Sequence, residues 1–79
     1  EFSLSILNIA LSNYNLKYNS NISIADFTTL ISNYAGVKDK NGNLIADETI
    51  AEAIHDYYLH KDNCSKASFE IIKVIKAKL

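Results

Sequence analysis

The sequence contains no proline, no arginine and only two glycines, Gly36 and Gly42. A β-rich domain of 79 residues would need more turn residues than this, so the composition favours long helical segments. Arginine is the side chain that most often reads bases, and its absence is accompanied by a formal net charge of only −1. We therefore expect an all-α protein that does not bind nucleic acid.

Cysteine is almost absent as well, since Cys64 is the only one. A single cysteine excludes a disulfide within the chain and favours a reducing, cytoplasmic location. No apolar run approaches the roughly 18 residues that indicate a membrane span, so we expect no membrane contact. Apolar residues make up 48% of the chain, which is enough for a compact core, and 79 residues leave no room for a second one. We expect a single domain over residues 1–79.

Apolar residues recur at spacings of three and four, which is the pattern of helices with one buried face. We expect four helices, near residues 3–14, 24–35, 47–59 and 66–78. Ser23 and Asp47 are suitable N-caps for the second and third helices. Between these helices, Val37–Ala46 should form an exposed loop or a short hairpin, because Asn41-Gly42 is a strong turn signal.

The same spacing predicts which side chains fill the core. The residues expected to be mostly buried are Leu7, Leu11, Phe27, Leu30, Ile31, Ile50, Ile54, Phe69, Ile72 and Ile75.

Two repeats of helix, polar break and helix divide the chain, and their apolar positions match to within one residue. Before the breaks the matching residues are Leu7, Ala10, Leu11 and Tyr14 in the first repeat and Ile50, Ala53, Ile54 and Tyr58 in the second. After the breaks they are Phe27, Leu30 and Ile31, and then Ile71, Val74 and Ile75. This spacing resembles that of an EF-hand pair. The resemblance implies a four-helix domain of two helix–loop–helix units, with a longer connection or a short hairpin between them.

The two loops implied by the resemblance, residues 15–26 and 59–70, lack a calcium-ligand set. A calcium loop needs oxygen ligands at its first, third, fifth, ninth and twelfth positions and glycine at the sixth. Lys17 occupies the third position of the first loop, whereas Leu59 and Cys64 occupy the first and sixth positions of the second. We therefore expect no bound metal and no other cofactor.

Within the EF-hand family, a lobe of a myosin light chain grips an IQ-type amphipathic helix without calcium. The resemblance therefore implies a calcium-independent module that binds an amphipathic helix of a partner protein, such as a myosin heavy chain. It also allows this domain to be one lobe of a longer protein. The partner-binding residues implied by the exit helices are Phe27, Leu30, Ile31, Tyr34, Ile71, Val74 and Ile75.

Two other interpretations remain open. A small helical immunity or inhibitor protein from a low-GC bacterium or phage would share the AT-rich codon usage implied by abundant Ile, Asn, Lys and Tyr. A helix-turn-helix nucleic-acid module is compatible with the asparagine-rich turns, although the charge balance argues against it.

Other polar groups could suggest a metal site or a reaction. Residues 39–50 offer an overlapping calcium frame, but Leu44 occupies its glycine position and Ile50 replaces its acidic ligand, so a polar surface turn is the better interpretation. His55 and His60 are five residues apart and do not share a helix face. Nothing in the sequence orients Cys64 as a nucleophile. The chain also lacks a phosphate-binding loop and a catalytic triad, so we expect no enzyme.

Overall fold

The computed structural model describes residues 2–79, in which four α-helices and one 3-10 turn occur. The helices are α1 (Phe2–Tyr18), α2 (Ile24–Thr29), α3 (Ala46–His60) and α4 (Lys66–Lys78), and the 3-10 turn is Lys61–Asn63. This range contains no β-strand longer than an isolated bridge. The prediction of an all-α fold with four helices is confirmed.

Helices α1, α3 and α4 form a three-helix bundle. Helix α4 packs against both α1 and α3, and α1 and α3 also contact each other. Ala10, Ala53 and Ala67 contribute one fully buried small side chain from each helix, which lets the backbones approach closely. The short α2 packs against α1. The core cluster consists of Ile6, Leu7, Ala10, Phe27, Ile31, Ala35, Ala46, Ala53, Ala67, Ile71 and Val74.

Helix α1 continues four residues past Tyr14, where the polar residues predicted its end. The side chain of Asn15 does not break the helix because it faces the following loop. Its Oδ1 accepts hydrogen bonds from the Ser20 hydroxyl at 2.7 Å and from the Ile22 amide at 3.2 Å. The helix ends where Asn19 adopts a left-handed backbone with φ of 52°.

Helix α2 is shorter than predicted, because it ends at Thr29 and not near residue 35. Ser23 caps it as predicted, and its hydroxyl accepts the Asp26 amide at 3.1 Å. The hydroxyls of Thr28 and Thr29 donate to carbonyls three residues earlier, at 2.9 and 2.7 Å. Such side-chain bonds compete with the helical ladder, and the Ile31 amide then bonds to the Thr28 carbonyl in a tighter turn.

The connection from α2 to α3 is anchored to α3 and contains the expected hairpin. The Ser32 hydroxyl donates to Glu52 at 2.8 Å, and the Thr49 hydroxyl donates to the Ala35 carbonyl. A single antiparallel bridge between Lys38 and Leu44 then closes a tight hairpin. These bonds hold the connection against the bundle even though it has little regular structure.

Helix α3 begins at Ala46, two residues earlier than an N-cap at Asp47 requires. Ile45 occupies the cap position and makes no side-chain cap bond, so the prediction of Asp47 as N-cap is wrong. Asp47 lies in the first turn, where its negative charge still interacts favourably with the positive end of the helix dipole. The hairpin sets this start, since the Ile45 amide bonds to the Val37 carbonyl at 3.0 Å.

The predicted core is largely correct but includes two exposed residues. Leu7, Phe27, Ile31 and Ile72 are buried, and Leu11, Ile50, Phe69 and Ile75 are partly buried. Leu30 is the C-cap of α2 and is 44% exposed, because Phe27 and Ile31, four residues apart, are the side chains that enter the core. Ile54 is exposed because the face of α3 that enters the core is that of Ala46, Thr49 and Ala53.

Candidate partner-binding groove

An apolar groove of about 260 Å³ lies where the start of α1, the first half of α3 and the end of α4 meet. We call it the α1–α3–α4 groove. Its lining residues are Phe2, Ser3, Ile6, Ile50, Ile54, Ile75, Lys78 and Leu79. The start of α1 meets the end of α4 here, so these two helices run antiparallel.

Both α1 and α3 supply the groove with two apolar side chains four residues apart, which places each pair on one face of its helix. One member of each pair reaches the core and the other stays in solvent. On α3, Ile50 is partly buried and Ile54 is 47% exposed. Ile6 and Phe2 make the corresponding pair on α1. The groove is therefore continuous with the core below and apolar at its surface.

Tyr58 extends the apolar surface along α3, because it lies four residues beyond Ile54 on the same face. Lys61 lies above this end, with its ammonium nitrogen 5.2 Å from the centre of the Tyr58 ring. Lys76 reaches across from α4, where it donates to the Tyr57 hydroxyl at 3.3 Å and lies 5.1 Å from the ring centre. The edge of the apolar surface therefore carries fixed positive charges.

Two other lysines, Lys17 of α1 and Lys73 of α4, have a different role. Glu70 is only 1% exposed, and its carboxylate oxygens lie 3.2 Å from the Lys73 ammonium and 3.5 Å from that of Lys17. Lys17 also lies 5.8 Å from the centre of the Phe69 ring. A buried carboxylate is costly unless compensated, so these two lysines serve the fold by neutralising Glu70.

The seven residues predicted to bind a partner do not form one surface. Phe27, Ile31, Ile71 and Val74 are buried in the core. Leu30 and Tyr34 are exposed at the end of α2 and in the turn after it, and Tyr34 is 73% exposed. Ile75 alone among them lines the α1–α3–α4 groove.

Sequence reasoning missed Ile54 as a surface residue because the apolar pattern of α3 is wider than one contact face. The pattern comprises Ile50, Ala53, Ile54, Tyr57 and Tyr58, and the neighbouring helices α1 and α4 cover only part of so broad an arc. A signal was present in the small residues. Ala46, Thr49 and Ala53 recur at three and four, and they form the buried face of α3.

The carboxylate of Asp56 stabilises the turn between α3 and α4. Its Oδ2 accepts the Ser65 amide at 2.9 Å and the Ser68 hydroxyl at 2.6 Å, and its Oδ1 lies 2.8 Å from Nδ1 of His60. Burial alone would raise the pKa of Asp56, but these hydrogen bonds outweigh it and hold the pKa below its ordinary value. The carboxylate therefore remains charged and holds the start of α4.

Cys64 lies beside this turn and is half-buried. Burial raises the pKa of its thiol, and the negative charges of Asp56 and Asp62 raise it further. A thiol with a raised pKa stays protonated near neutral pH and is a poor nucleophile. Within residues 2–79, no three His, Cys, Asp or Glu side chains come together to hold a metal ion.

The hairpin uses the ligand-like residue Asp39 for its own structure. Oδ1 of Asp39 accepts the amides of Asn41 at 2.8 Å and Asn43 at 3.0 Å. Gly42 adopts φ of 82°, a left-handed conformation that glycine tolerates best. These bonds are those of a polar surface turn.

Comparisons with protein-family models, with curated proteins and with solved structures found no match for this chain. The EF-hand resemblance therefore rests on the spacing of its apolar residues. Among the helices of residues 2–79, none is both long enough and apolar enough to cross a membrane.

Proposed function

We propose that this protein is a non-enzymatic, calcium-independent binding module that holds an amphipathic helix of a partner protein in the α1–α3–α4 groove. The observation that carries this proposal is the groove itself, which presents side chains from three helices and is lined almost entirely by apolar groups. A light-chain-like role, in which the partner is an IQ-type helix, is the finer form of this proposal.

The shape of the apolar surface supports a helix as the ligand. Ile50, Ile54 and Tyr58 follow one another along α3 at intervals of four residues, which amounts to about 12 Å along the helix axis. An amphipathic helix presents anchors at i, i+3, i+4 and i+7 over a similar distance. Such a helix can therefore lie along α3 with one anchor seated between Ile54 and Ile75.

The test uses a synthetic helical peptide with leucine at i, i+3, i+4 and i+7 and glutamine elsewhere, which we call the neutral stripe peptide. A peptide of the same composition in scrambled order has no apolar stripe and serves as its control. We expect the neutral stripe peptide, but not the scrambled peptide, to shift the amide NMR resonances of Ile50, Ile54 and Ile75. Failure of the stripe peptide to bind, or equal binding of the scrambled peptide, would refute the proposed function.

Substitution then locates the binding energy. Ile54→Ala should weaken binding of the neutral stripe peptide by about 1–2 kcal/mol, because exposed apolar anchors carry most of such an interface. Leu59→Ala is the matched control, since Leu59 is 58% exposed on the same helix but lies outside the groove. Tyr34→Ala tests the surface implied by the EF-hand resemblance. If Tyr34→Ala weakens binding and Ile54→Ala does not, the helix is held elsewhere.

A further inference from the structure

We propose that the partner helix carries acidic residues beside its apolar stripe. This inference rests on the proposed function and adds the charge of the partner to it. It derives from the lysines along the edge of the α1–α3–α4 groove, namely Lys61, Lys76 and Lys78.

The three lysines lie at two places, one in the groove and the other at the tyrosines near the end of α3. Lys78 lines the groove itself. Lys76 bridges from α4 to the hydroxyl of Tyr57, and Lys61 lies 5.6 Å from the Tyr57 ring and 5.2 Å from the Tyr58 ring. Contacts with the aromatic rings hold two of the ammonium groups close to α3, which lowers the entropy lost when a ligand contacts them.

The positive charges of these three lysines are not neutralised within the described part of the protein. Within residues 2–79, none of the three forms an ion pair with a carboxylate, whereas Lys17 and Lys73 both neutralise Glu70. Asp47 is an acidic side chain beside the groove, and it accepts a hydrogen bond from the Ser3 hydroxyl. Among residues 2–79, these three cationic side chains outnumber Asp47 at the apolar surface, which suits an apolar stripe with acidic flanks.

Two other carboxylates of α3, Glu52 and Asp56, make their hydrogen bonds away from the groove. Asp56 is bound by Ser65 and Ser68 in the turn to α4, and Glu52 accepts the Ser32 hydroxyl on the side of the α2–α3 connection. A basic helix that lay along α3 would therefore meet the like charges of Lys78, Lys76 and Lys61.

Three peptides that share the leucine stripe but carry glutamate, glutamine or lysine at the flanking positions test this inference. At low ionic strength we expect the glutamate peptide to bind about tenfold more tightly than the lysine peptide, with the glutamine peptide between them. Each exposed ion pair adds a modest factor, and three pairs act together. High salt should bring the three affinities together, because exposed charges are screened.

A pair of matched double variants assigns the effect to the groove. Lys61→Gln with Lys76→Gln should remove most of the preference for the glutamate peptide and leave binding of the glutamine peptide nearly unchanged. Lys38→Gln with Lys40→Gln removes the same charge from the exposed hairpin and should leave the preference intact. If both double variants reduce the preference equally, net charge and not the groove edge is responsible, and the inference is wrong.

The outcomes separate this inference from the function on which it rests. Equal binding of the three stripe peptides, or tightest binding of the lysine peptide, overturns the acidic partner while the helix-binding function stands. Binding of a scrambled glutamate peptide as tightly as the striped one also overturns it, because the lysines would then attract any polyanion. If none of the striped peptides binds, the proposed function itself fails.

Discussion

The two helical hairpins of this protein start from similar sequence patterns and end as different structures. The first joins the 17-residue α1 to an α2 of only six residues, whereas the second joins the 15-residue α3 to an α4 of 13 residues. Both outgoing helices begin with a serine cap, Ser23 and Ser65, whose hydroxyls accept the amide three residues later. Since the two helices start alike, their lengths must be set by residues beyond the caps.

The threonines of α2 and the serine after it explain the difference. Thr28 and Thr29 bond back to carbonyls within α2, and Ser32 bonds forward to Glu52 of α3, so the backbone leaves the helix to make these contacts. Helix α4 contains no such competitor after Ser68, and it is packed on two sides by α1 and α3. Helical length here depends on tertiary packing as much as on local preference.

In each hairpin, one polar side chain of the incoming helix stabilises the turn through hydrogen bonds, and these two side chains differ in charge. Asn15 holds the first turn through a neutral amide, which bonds to Ser20 and to both the amide and the carbonyl of Ile22. Asp56 holds the second turn through a carboxylate. Hydrogen bonds to a charged group are roughly twice as strong as neutral ones, so the second turn should be the more firmly held.

The largest effect should come from the residue that fixes the short helix to the core. Phe27→Ala should lower the free energy of unfolding by about 3–5 kcal/mol, because it leaves a cavity where a fully buried ring contacts Tyr14. Chemical denaturation measures this loss, and Ile71→Ala is the corresponding change in α4. If Phe27→Ala costs less than about 1 kcal/mol, α2 is not part of the cooperative core and the two hairpins differ more than the packing indicates.

Asp56→Ala should have the next largest effect and should depend on pH. Its pKa is lowered in the folded state, so the carboxylate stabilises the fold above its unfolded pKa of about 3.9, and this contribution is lost as pH falls through the folded pKa. At pH 7 the substitution should cost about 2–3 kcal/mol. Denaturation of wild type and variant across acidic pH should show the two curves converging.

The exposed Asp62 provides the control for that experiment, since it lies in the same turn. Asp62→Ala should change stability little at any pH. Asp56→Asn retains the size of the side chain but removes its charge and one of its two acceptor oxygens, so it should abolish the acid dependence attributable to this site. If the difference in stability between wild type and Asp56→Ala stays constant down to the lowest pH, the charged carboxylate does not stabilise this turn.

The smallest effect on stability should come from the uncharged side chain that holds the first turn. Asn15→Ala should lower the free energy of unfolding by about 1–2 kcal/mol, because the partners of its side chain are only partly buried and water replaces some of the lost bonds. The loss should be independent of pH between neutral and acidic conditions. Asn21→Ala, an exposed change in the same loop, is the control and should be nearly silent. A loss larger than that of Asp56→Ala would reverse the ranking of the two turns.

Some features could be predicted from local sequence because their causes are local. The four helices, the cap at Ser23 and the Asn41-Gly42 hairpin depend on residues within one or two turns of each other. The end of α2 and the start of α3 were predicted less well. Both depend on bonds to distant partners, such as Ser32 with Glu52 and Ile45 with Val37.

The candidate site was less accessible to sequence reasoning than the fold. Of the seven predicted binding residues only Ile75 lies in the α1–α3–α4 groove, because apolar spacing identifies a helical face without indicating whether another helix covers it. Ile31 and Leu30 are adjacent in the sequence and equally apolar, yet the first is buried and the second exposed.

The sequence by itself determined an all-helical chain with one core, since apolar periodicity and the scarcity of glycine and proline leave few other ways to bury its apolar residues. Only the tertiary structure decided which face of α3 is covered. Close approach of helices favours small side chains, so Ala46, Thr49 and Ala53 face inward and the larger Ile54 and Tyr58 remain outside. That choice creates the apolar groove, because a helix in a three-helix bundle cannot bury its whole circumference.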